Sequence, residues 1–182
     1  MLVDEAELGR QRTLNAGGIL LGLGLGGFFD GIVLHQILQW HHMVSNVAEY
    51  PTTSVDGLKA NTLGDGLFHA ATYVFTVTGL FLLWRMARRP HGSWSTTQLI
   101  GLLLMGWGSF NLVEGMIDHQ FLGIHHVNQT APRNQWVWWD MAFLVWGTAM
   151  LVAGWFLARS GERLSLAAAT MTPRSGTDAG SQ

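Results

Sequence analysis

The stretch DGIVLHQILQWHH, from Asp30 to His42, decides the fold because it places one acid and three histidines at the end of an otherwise apolar segment. The same polar residues return in EGMIDHQFLGIHH, from Glu114 to His126, at an offset of 84 residues (114 minus 30). Both stretches open with an acid and a glycine, continue with His-Gln and close with His-His. This constant spacing predicts two equivalent segments that carry the same chemistry.

The composition indicates a membrane protein. The chain has 182 residues, of which 48% are hydrophobic and only 12% charged, against about a quarter charged in soluble domains. It contains nine Trp and 23 Gly, which are both frequent in membrane helices. A net charge of −2 gives no basic field for nucleic acid. The absence of cysteine excludes disulfides, thiolate metal ligands and thiol nucleophiles.

Four apolar stretches are long enough to cross a bilayer, which takes about 20 residues. They lie near Ala16–Trp40, Leu67–Trp84, Leu99–Ile124 and Trp136–Ala158. The predicted fold class is all-α, a polytopic membrane four-helix bundle. Residues 1–13 are expected to form a cytoplasmic segment, 14–159 the transmembrane domain in contact with the lipid bilayer, and 160–182 a disordered cytoplasmic tail.

The basic residues predict the orientation of the bundle. Eight of the ten fall on one side of the predicted spans: Arg10, Arg12, Arg85, Arg88, Arg89, Arg159, Arg163 and Arg174. Only Lys59 and Arg133 fall on the other side. Because basic residues concentrate on the cytoplasmic side, we expect both termini in the cytoplasm of a bacterium and the protein in its inner membrane.

A weaker repeat joins the second and fourth stretches. The sequence DGLFHAATYVF from Asp65 matches DMAFLVWGTAM from Asp140 at an offset of 75 residues (140 minus 65). Each half of the chain is therefore predicted to be a helical hairpin. Because a hairpin returns the chain to its starting side, the two halves should be parallel, related by a pseudo-two-fold axis along the membrane normal.

This topology brings the polar residues of all four spans into one layer near the outer membrane face. The candidate metal ligands are Asp30, His35, His41, His42, Asp65, His69, Glu114, Asp118, His119, His125, His126 and Asp140. At about 100° per residue, Asp30 and His41 would share one stripe of an α-helix, with His35 roughly 140° away from Asp30. Gly18, Gly22 and Gly26 precede Asp30 at i, i+4 spacing, which is typical of close contact between membrane helices.

The chemistry of the layer indicates a transition metal. Ionisable groups inside a membrane cost several kcal/mol each unless they are paired, and the layer has carboxylates without nearby Lys or Arg. Imidazole mixed with carboxylate suits copper, iron or zinc, and we expect copper or iron before zinc. Either one dinuclear or two mononuclear sites fit the number of ligands. Gln36 and Gln120 are expected to support the ligands by hydrogen bonds.

Three functions remain open at this stage. The first is a redox-active non-haem centre, which would make the protein a metal-dependent oxidoreductase. The second is a copper or zinc handling protein that serves a respiratory enzyme or another metal-accepting membrane protein. The third is a haem protein with axial histidines, although the many acids fit a haem pocket poorly. The sequence leaves open whether the chain forms a homo-oligomer.

The pattern Asp-Gly…His-Gln…His-His, then Asp-Gly-Leu-Phe-His, then Glu-Gly…Asp-His-Gln…His-His resembles a bacterial family of four-pass membrane proteins, the domain of unknown function 2243. The resemblance covers roughly residues 14 to 159. It implies the same four-pass fold but no established activity. The occurrence of such genes near cytochrome oxidase assembly factors implies a link to copper.

Overall fold

The computed structural model describes residues 5–88 and 95–171, and within these ranges all regular structure is helical. The first helix, α1, covers Glu5–Phe29 and continues as a π-helix, π1, over Asp30–Ile37. Helix α2 covers Val55–Ala87. Helix α3 covers Thr96–Glu114 and continues as a second π-helix, π2, over Gly115–Phe121. After a short 3₁₀ turn at Arg133–Gln135, helix α4 covers Trp136–Met171.

All four helices are long and apolar enough to span a membrane. The candidate spans are Glu7–Ile37, Val55–Ala87, Thr96–Phe121 and Arg133–Ser165. Each is longer than the roughly 20 residues that a bilayer requires. The structure therefore confirms the predicted all-α class with four membrane-spanning helices. The two-fold relation between whole hairpins stays a prediction.

Helices α1 and α3 form the centre of the molecule and run parallel. A Cβ placed on Gly22 would collide with the carbonyl oxygen of Leu103 and lie 2.9 Å from the Cα of Gly106. Gly18 and Gly26 also lie close to α3. A Cβ on Gly18 would lie 2.6 Å from Leu102 Cβ, and a Cβ on Gly26 would lie 3.0 Å from the Trp107 ring. The expected row of small residues is therefore confirmed, and it allows the two backbones to come close.

Helices α2 and α4 lie on the outside, where α2 packs antiparallel against α1 and α4 antiparallel against α3. They are largely exposed, with side chains such as Tyr73, Phe81, Trp138 and Trp146 pointing away from the protein. Exposed aromatic and aliphatic faces of this size fit contact with lipid. The hairpin connections place the starts of α2 and α4 at the same end of the molecule as π1 and π2.

The end of the molecule opposite π1 and π2 contains the apolar core. Leu14, Leu83, Met86, Leu102 and Ala158 form a buried cluster there. Of the eight arginines that predict the orientation, those within the described residues lie at or beyond this end. Lys59 and Arg133 lie at the π-helical end. Arg89 and Arg174 lie outside the described residues. The structure thus separates an apolar half from a polar half within one bundle.

Helix α4 is longer than the sequence indicated. Disorder was expected from residue 160, whereas the helix continues through Met171. The segment 160–171 is rich in Leu, Ala, Glu and Arg, which have high helix propensity. Gly161 also packs closely against the backbone of Gln98, at the start of α3. The remaining part of the predicted tail, 172–182, lies outside the described residues.

Candidate metal centre

The two π-helices bring an acid and a histidine five residues later onto one face. In π1, Asp30 Oδ2 lies 3.0 Å from His35 Nε2, and at the end of α3 Glu114 Oε1 lies 2.9 Å from His119 Nε2. An α-helix would separate residues five apart by roughly 140°, but the i→i+5 pattern of a π-helix brings them together. The two separate stripes expected from α-helical angles are therefore wrong.

The second histidine of each stretch lies beyond the end of its helix. The amide N–H of Trp40 donates to Leu34 O at 2.9 Å, and that of Ile124 donates to Asp118 O at 3.0 Å. Each of these bonds closes a turn that contains one residue in the left-handed region. These residues are Gln39, with φ 50°, and Gly123, with φ 59°, and they occupy equivalent positions in the two halves. The chain consequently folds back, and the histidines that follow point into the bundle.

Six side chains then meet in what we call the central cluster. Its members are Asp30, His35 and His41 from the first half and Glu114, His119 and His125 from the second half. Within it, ligand atoms of His35, His41 and His125 lie within 4.8 Å of one another, as do those of Glu114, His119 and His125. His35 and His125 are fully buried, and the least buried member, Glu114, is only 7% exposed. The three members from each half correspond at the offset of 84 residues.

Three of the four imidazole rings of the central cluster are held by a hydrogen bond at Nδ1, and His119 is not. His35 Nδ1 lies 2.8 Å from Asp65 Oδ1, and His119 Nδ1 lies 3.7 Å from Asp140 Oδ1. His41 Nδ1–H donates to the carbonyl of Val127 at 2.8 Å. Since a backbone carbonyl only accepts, this bond leaves Nε2 of a neutral His41 with a free lone pair.

The ring of His125 is held in the same way, across the molecule. His125 Nδ1–H donates to the carbonyl of Met43 at 3.0 Å. Met43 and Val127 occupy equivalent positions in the two halves, so each half supplies the carbonyl that orients the other half's histidine. Metal-binding histidines usually donate their second N–H to a carbonyl or carboxylate in this manner.

Several polar atoms of the central cluster are buried without a hydrogen-bond partner among the described residues. They are both carboxyl oxygens of Asp30, Glu114 Oε2, Nε2 of His35 and His41, and both ring nitrogens of His119. Asp30 and His35 approach within 3.0 Å, but without the alignment of a hydrogen bond. Two ligands of one metal at right angles lie roughly 3 Å apart, since each is about 2.1 Å from the ion. The close but misaligned atoms therefore suit a shared cation.

Asp65 and Asp140 surround the cluster and contact its histidines from outside. Asp65 accepts bonds from His35, from His42 Nδ1 at 2.7 Å and from Gln36 Nε2 at 3.1 Å. Equivalent contacts to Asp140 come from His126 Nδ1 at 2.7 Å and Gln120 Nε2 at 3.4 Å. Both glutamines therefore donate to an acid of this pair, and their support of metal ligands stays a prediction.

The amide N–H groups of Met43 and Val127 complete these carboxylate sites by donating to Asp65 and Asp140. Asp65 thus accepts four hydrogen bonds and Asp140 accepts three, which suits positioning of the rings. His42 and His126 are also oriented by these acids, and they are about one fifth exposed at the loop surface.

The remaining two candidates make no hydrogen bond or ion pair with the central cluster among the described contacts. His69 donates from Nδ1 to Asp65 O in its own helix and sits half-buried against Gly31. Asp118 is half-buried on π2, without a hydrogen bond or ion pair among the described contacts. The structure therefore brings together ten of the twelve candidates, counting the central cluster with Asp65, Asp140, His42 and His126.

The electrostatics of the site favour a cation. No Lys or Arg in the described residues pairs with Asp30, Asp65, Glu114 or Asp140, while Lys59 lies 3.7 Å from the exposed Asp56. Outside the spans, burial lowers the pKa of His41 well below its usual range, helped by the charges of His125 and His35. A neutral imidazole is the form that coordinates metal ions.

Sequence reasoning missed the groups that act through the backbone. The carbonyls of Met43 and Val127 carry no side-chain signal, because any residue type supplies a carbonyl. It also missed Phe68, whose ring stacks on His35 with centroids 5.7 Å apart, and Asn61, which is 1% exposed and holds the loop by accepting from Val44 N. Only the match of Phe68 with Phe143 in the weaker repeat could have drawn attention to one of them.

Fold and site together define a polytopic membrane protein whose buried His/carboxylate groups could hold a metal ion. The chain belongs to the domain of unknown function 2243 family, described as predicted membrane proteins, whose model matches residues 17–161. No curated protein and no solved structure matches the chain.

Proposed function

We propose that this protein is an integral membrane metalloprotein with a non-haem dinuclear centre of iron or copper in the central cluster. The single observation that carries the proposal is the direction of the four imidazoles. Nδ1 of His35, His41 and His125 bonds to an oxygen outside the cluster. Nε2 of His35 lies 3.0 Å from Asp30, and Nε2 of His119 and of His125 lies within 2.9 Å of Glu114. This is the arrangement in which histidines bind metals.

The donor set supports iron or copper. The group of Glu114, His119 and His125 has two histidines and one carboxylate, a set that typically binds non-haem iron and leaves coordination positions open. The other group has three histidines, His35, His41 and His125. Copper also accepts imidazole ligands. Both metals change oxidation state, so a redox role follows for the centre.

A metal-free network of buried ion pairs explains the site less well. Imidazolium–carboxylate pairs would neutralise part of the charge, but the misaligned Asp30 and His35 would each keep unpartnered atoms. Buried polar atoms without partners cost about 1–3 kcal/mol each. A bound dication would satisfy these atoms together.

Burial favours a retained centre over a carrier of metal. All four histidines of the central cluster are at most 2% exposed. Below it toward the arginine-rich end, Gly18 and Gly22 of α1 pack closely against Leu102, Leu103 and Gly106 of α3. The described residues of this interface include amide side chains, such as Gln98 bonded to Gln11, but no further histidine or carboxylate. We also propose that the centre lies near the outer face of a bacterial inner membrane, with both termini in the cytoplasm, since the arginines lie at the opposite end.

Metal analysis of the purified protein tests the proposal. We expect two iron or copper ions per chain, with oxygen- and reductant-dependent changes in the optical and EPR spectra and release to a chelator over hours. His119→Ala should lose at least half of the metal, whereas the matched control His69→Ala should keep it. A chain that stays folded without metal, and that no metal ion stabilises against heat, would refute the proposal.

A further inference from the structure

A cavity of about 320 Å³ lies between α1, α3 and α4 next to the central cluster. Its walls include the aromatic side chains of Phe29, Trp107, Trp139, Phe143 and Trp146. This volume is at the small end of the range for ligand-binding pockets, roughly 300–1,000 Å³. Aromatic walls of this kind favour planar rings, which stack on them face to face or edge to face.

Asp30 and Asn111 are buried polar side chains that line this cavity, and Asp30 joins it to the metal centre. Asp30 is 2% exposed, and neither of its carboxyl oxygens has a hydrogen-bond partner among the described residues. One oxygen, Oδ2, faces His35. A carboxylate has a second oxygen, so it can accept a hydrogen bond from a ligand while it takes part in the centre.

The surroundings of the cavity indicate that its ligand comes from the membrane. Phe29 and Trp146 are 46% and 61% exposed on the outside of the helices, so the rim reaches the lipid-facing surface between α1 and α4. Within residues 5–88 and 95–171, no Lys or Arg lines the cavity, which disfavours an anionic ligand. A molecule that enters from hydrocarbon is apolar and uncharged for most of its surface.

We infer that this cavity is the substrate site of the proposed metal centre and that it takes a small lipid-soluble phenol, a class that includes hydroquinones. The phenol ring packs between the tryptophans, and its O–H donates to the Asp30 carboxylate. The role of the ligand as a substrate rests on the proposed function. Binding of the ligand depends only on the cavity.

Equilibrium binding to the metal-loaded protein in lipid nanodiscs tests the inference. The probes are pentamethylphenol and pentamethylanisole, which differ only in the O–H that the methyl ether lacks. We expect the phenol to bind at least tenfold more tightly than the ether. Equal affinities would overturn the inference, as would tighter binding of benzyltrimethylammonium, which would identify the cavity as a cation site.

Two variants of α4 locate the binding. Ala142 lines the cavity, and Ala142→Phe should fill it and weaken phenol binding at least tenfold. Ala149→Phe, the same substitution two turns further along α4, should change the affinity less than twofold. If Ala142→Phe does not fold, Trp146→Leu tests the location of the site instead. It removes one aromatic wall at an exposed position, and we expect it to weaken phenol binding by a similar factor.

Metal content is measured on every sample, so the two proposals can fail separately. Full metal content with equal binding of phenol and ether would overturn only the substrate site. Metal-free folded protein that binds the phenol selectively would overturn only the metal centre. Unchanged phenol affinity in Ala142→Phe, or in Trp146→Leu where Ala142→Phe does not fold, would show that the ligand binds elsewhere.

Discussion

At the residue scale, Asp65 shows how one carboxylate positions a ring without taking part in the central cluster. It accepts hydrogen bonds from His35, His42, Gln36 and the amide of Met43. Four donors saturate its oxygens, which leaves little capacity for a metal. Asp140 accepts from His126, Gln120 and the amide of Val127 in the second half, while His119 lies 3.7 Å away. The sequence placed both acids among the ligands, and the structure gives them positions behind the histidines.

Removing the charge of this carboxylate tests its positioning role. Asp65→Asn keeps the size of the side chain but can no longer accept at both positions, so the ring of His35 loses its fixed direction. We expect metal affinity to fall roughly 10- to 100-fold, as is usual for such outer partners. Competition with a chelator measures the change, and Asp56→Asn, at an almost fully exposed side chain, is the matched control. Equal affinities of the two variants would contradict the role.

The members of the central cluster could be predicted from the sequence, but their roles could not. Asp30, His35 and His41 recur at one offset as Glu114, His119 and His125, so repetition alone identifies them. Whether a histidine faces the cluster or the loop depends on the π-helical turn and on the carbonyls of the opposite half. Both are properties of backbone geometry, and the same residue letters fit either role.

At the element scale, the π-helices and the left-handed turns after them set the direction of the ligands. Gln39 and Gly123 occupy equivalent positions with φ of 50° and 59°. Only glycine adopts this region without strain, and other residues lose about 1–2 kcal/mol there. The first half thus carries strain that the second half avoids.

Substitutions at these two turns should have different effects on thermal stability. Gln39→Gly relieves the left-handed strain and should raise or preserve the thermal midpoint. Gly123→Ala introduces strain and should cost about 1 kcal/mol, although no atom would meet the new Cβ within 4 Å. Thermal unfolding in detergent measures both. A loss of stability in Gln39→Gly with none in Gly123→Ala would contradict this account.

The contact of α1 with α3 gives a second prediction at this scale. Gly22→Ala would press a methyl group against the backbone of Leu103 and Gly106, so the central helices must separate. Such overpacking typically costs about 1–3 kcal/mol, and metal occupancy should fall because the two halves of the cluster move apart. Gly66→Ala on α2 is the control, since open space surrounds it and alanine favours the helix. A tolerated Gly22→Ala would show that the close approach is dispensable.

At the scale of the whole molecule, the four spans and their polar end followed from hydropathy and the repeat, because both depend on residue type along the chain. The length of α4 did not follow from the sequence. Helix propensity in a polar tail does not indicate at which residue the contacts with the other helices end. The cavity beside Asp30 was also beyond sequence reasoning. It depends on the side chains of three helices.

The orientation of the molecule can be tested by accessibility. Asp56→Cys lies at the end of the bundle that holds the central cluster, and Arg163→Cys lies at the opposite end. Since the chain has no native cysteine, a membrane-impermeant thiol reagent applied to intact cells reports each position alone. We expect labelling of Asp56→Cys from outside and of Arg163→Cys only after the membrane is opened. The reverse pattern would invert the orientation.

The reciprocal loop contacts have a consequence for the descent of the protein. Met43 O orients His125, Val127 O orients His41, and the amides of Asn46 and Gln129 donate to Ile124 O and Trp40 O in the opposite loop. A single ancestral hairpin would therefore have lacked the carbonyl for its own histidine and could build this site only as a homodimer. In the present chain the two loops supply these carbonyls to each other within one molecule.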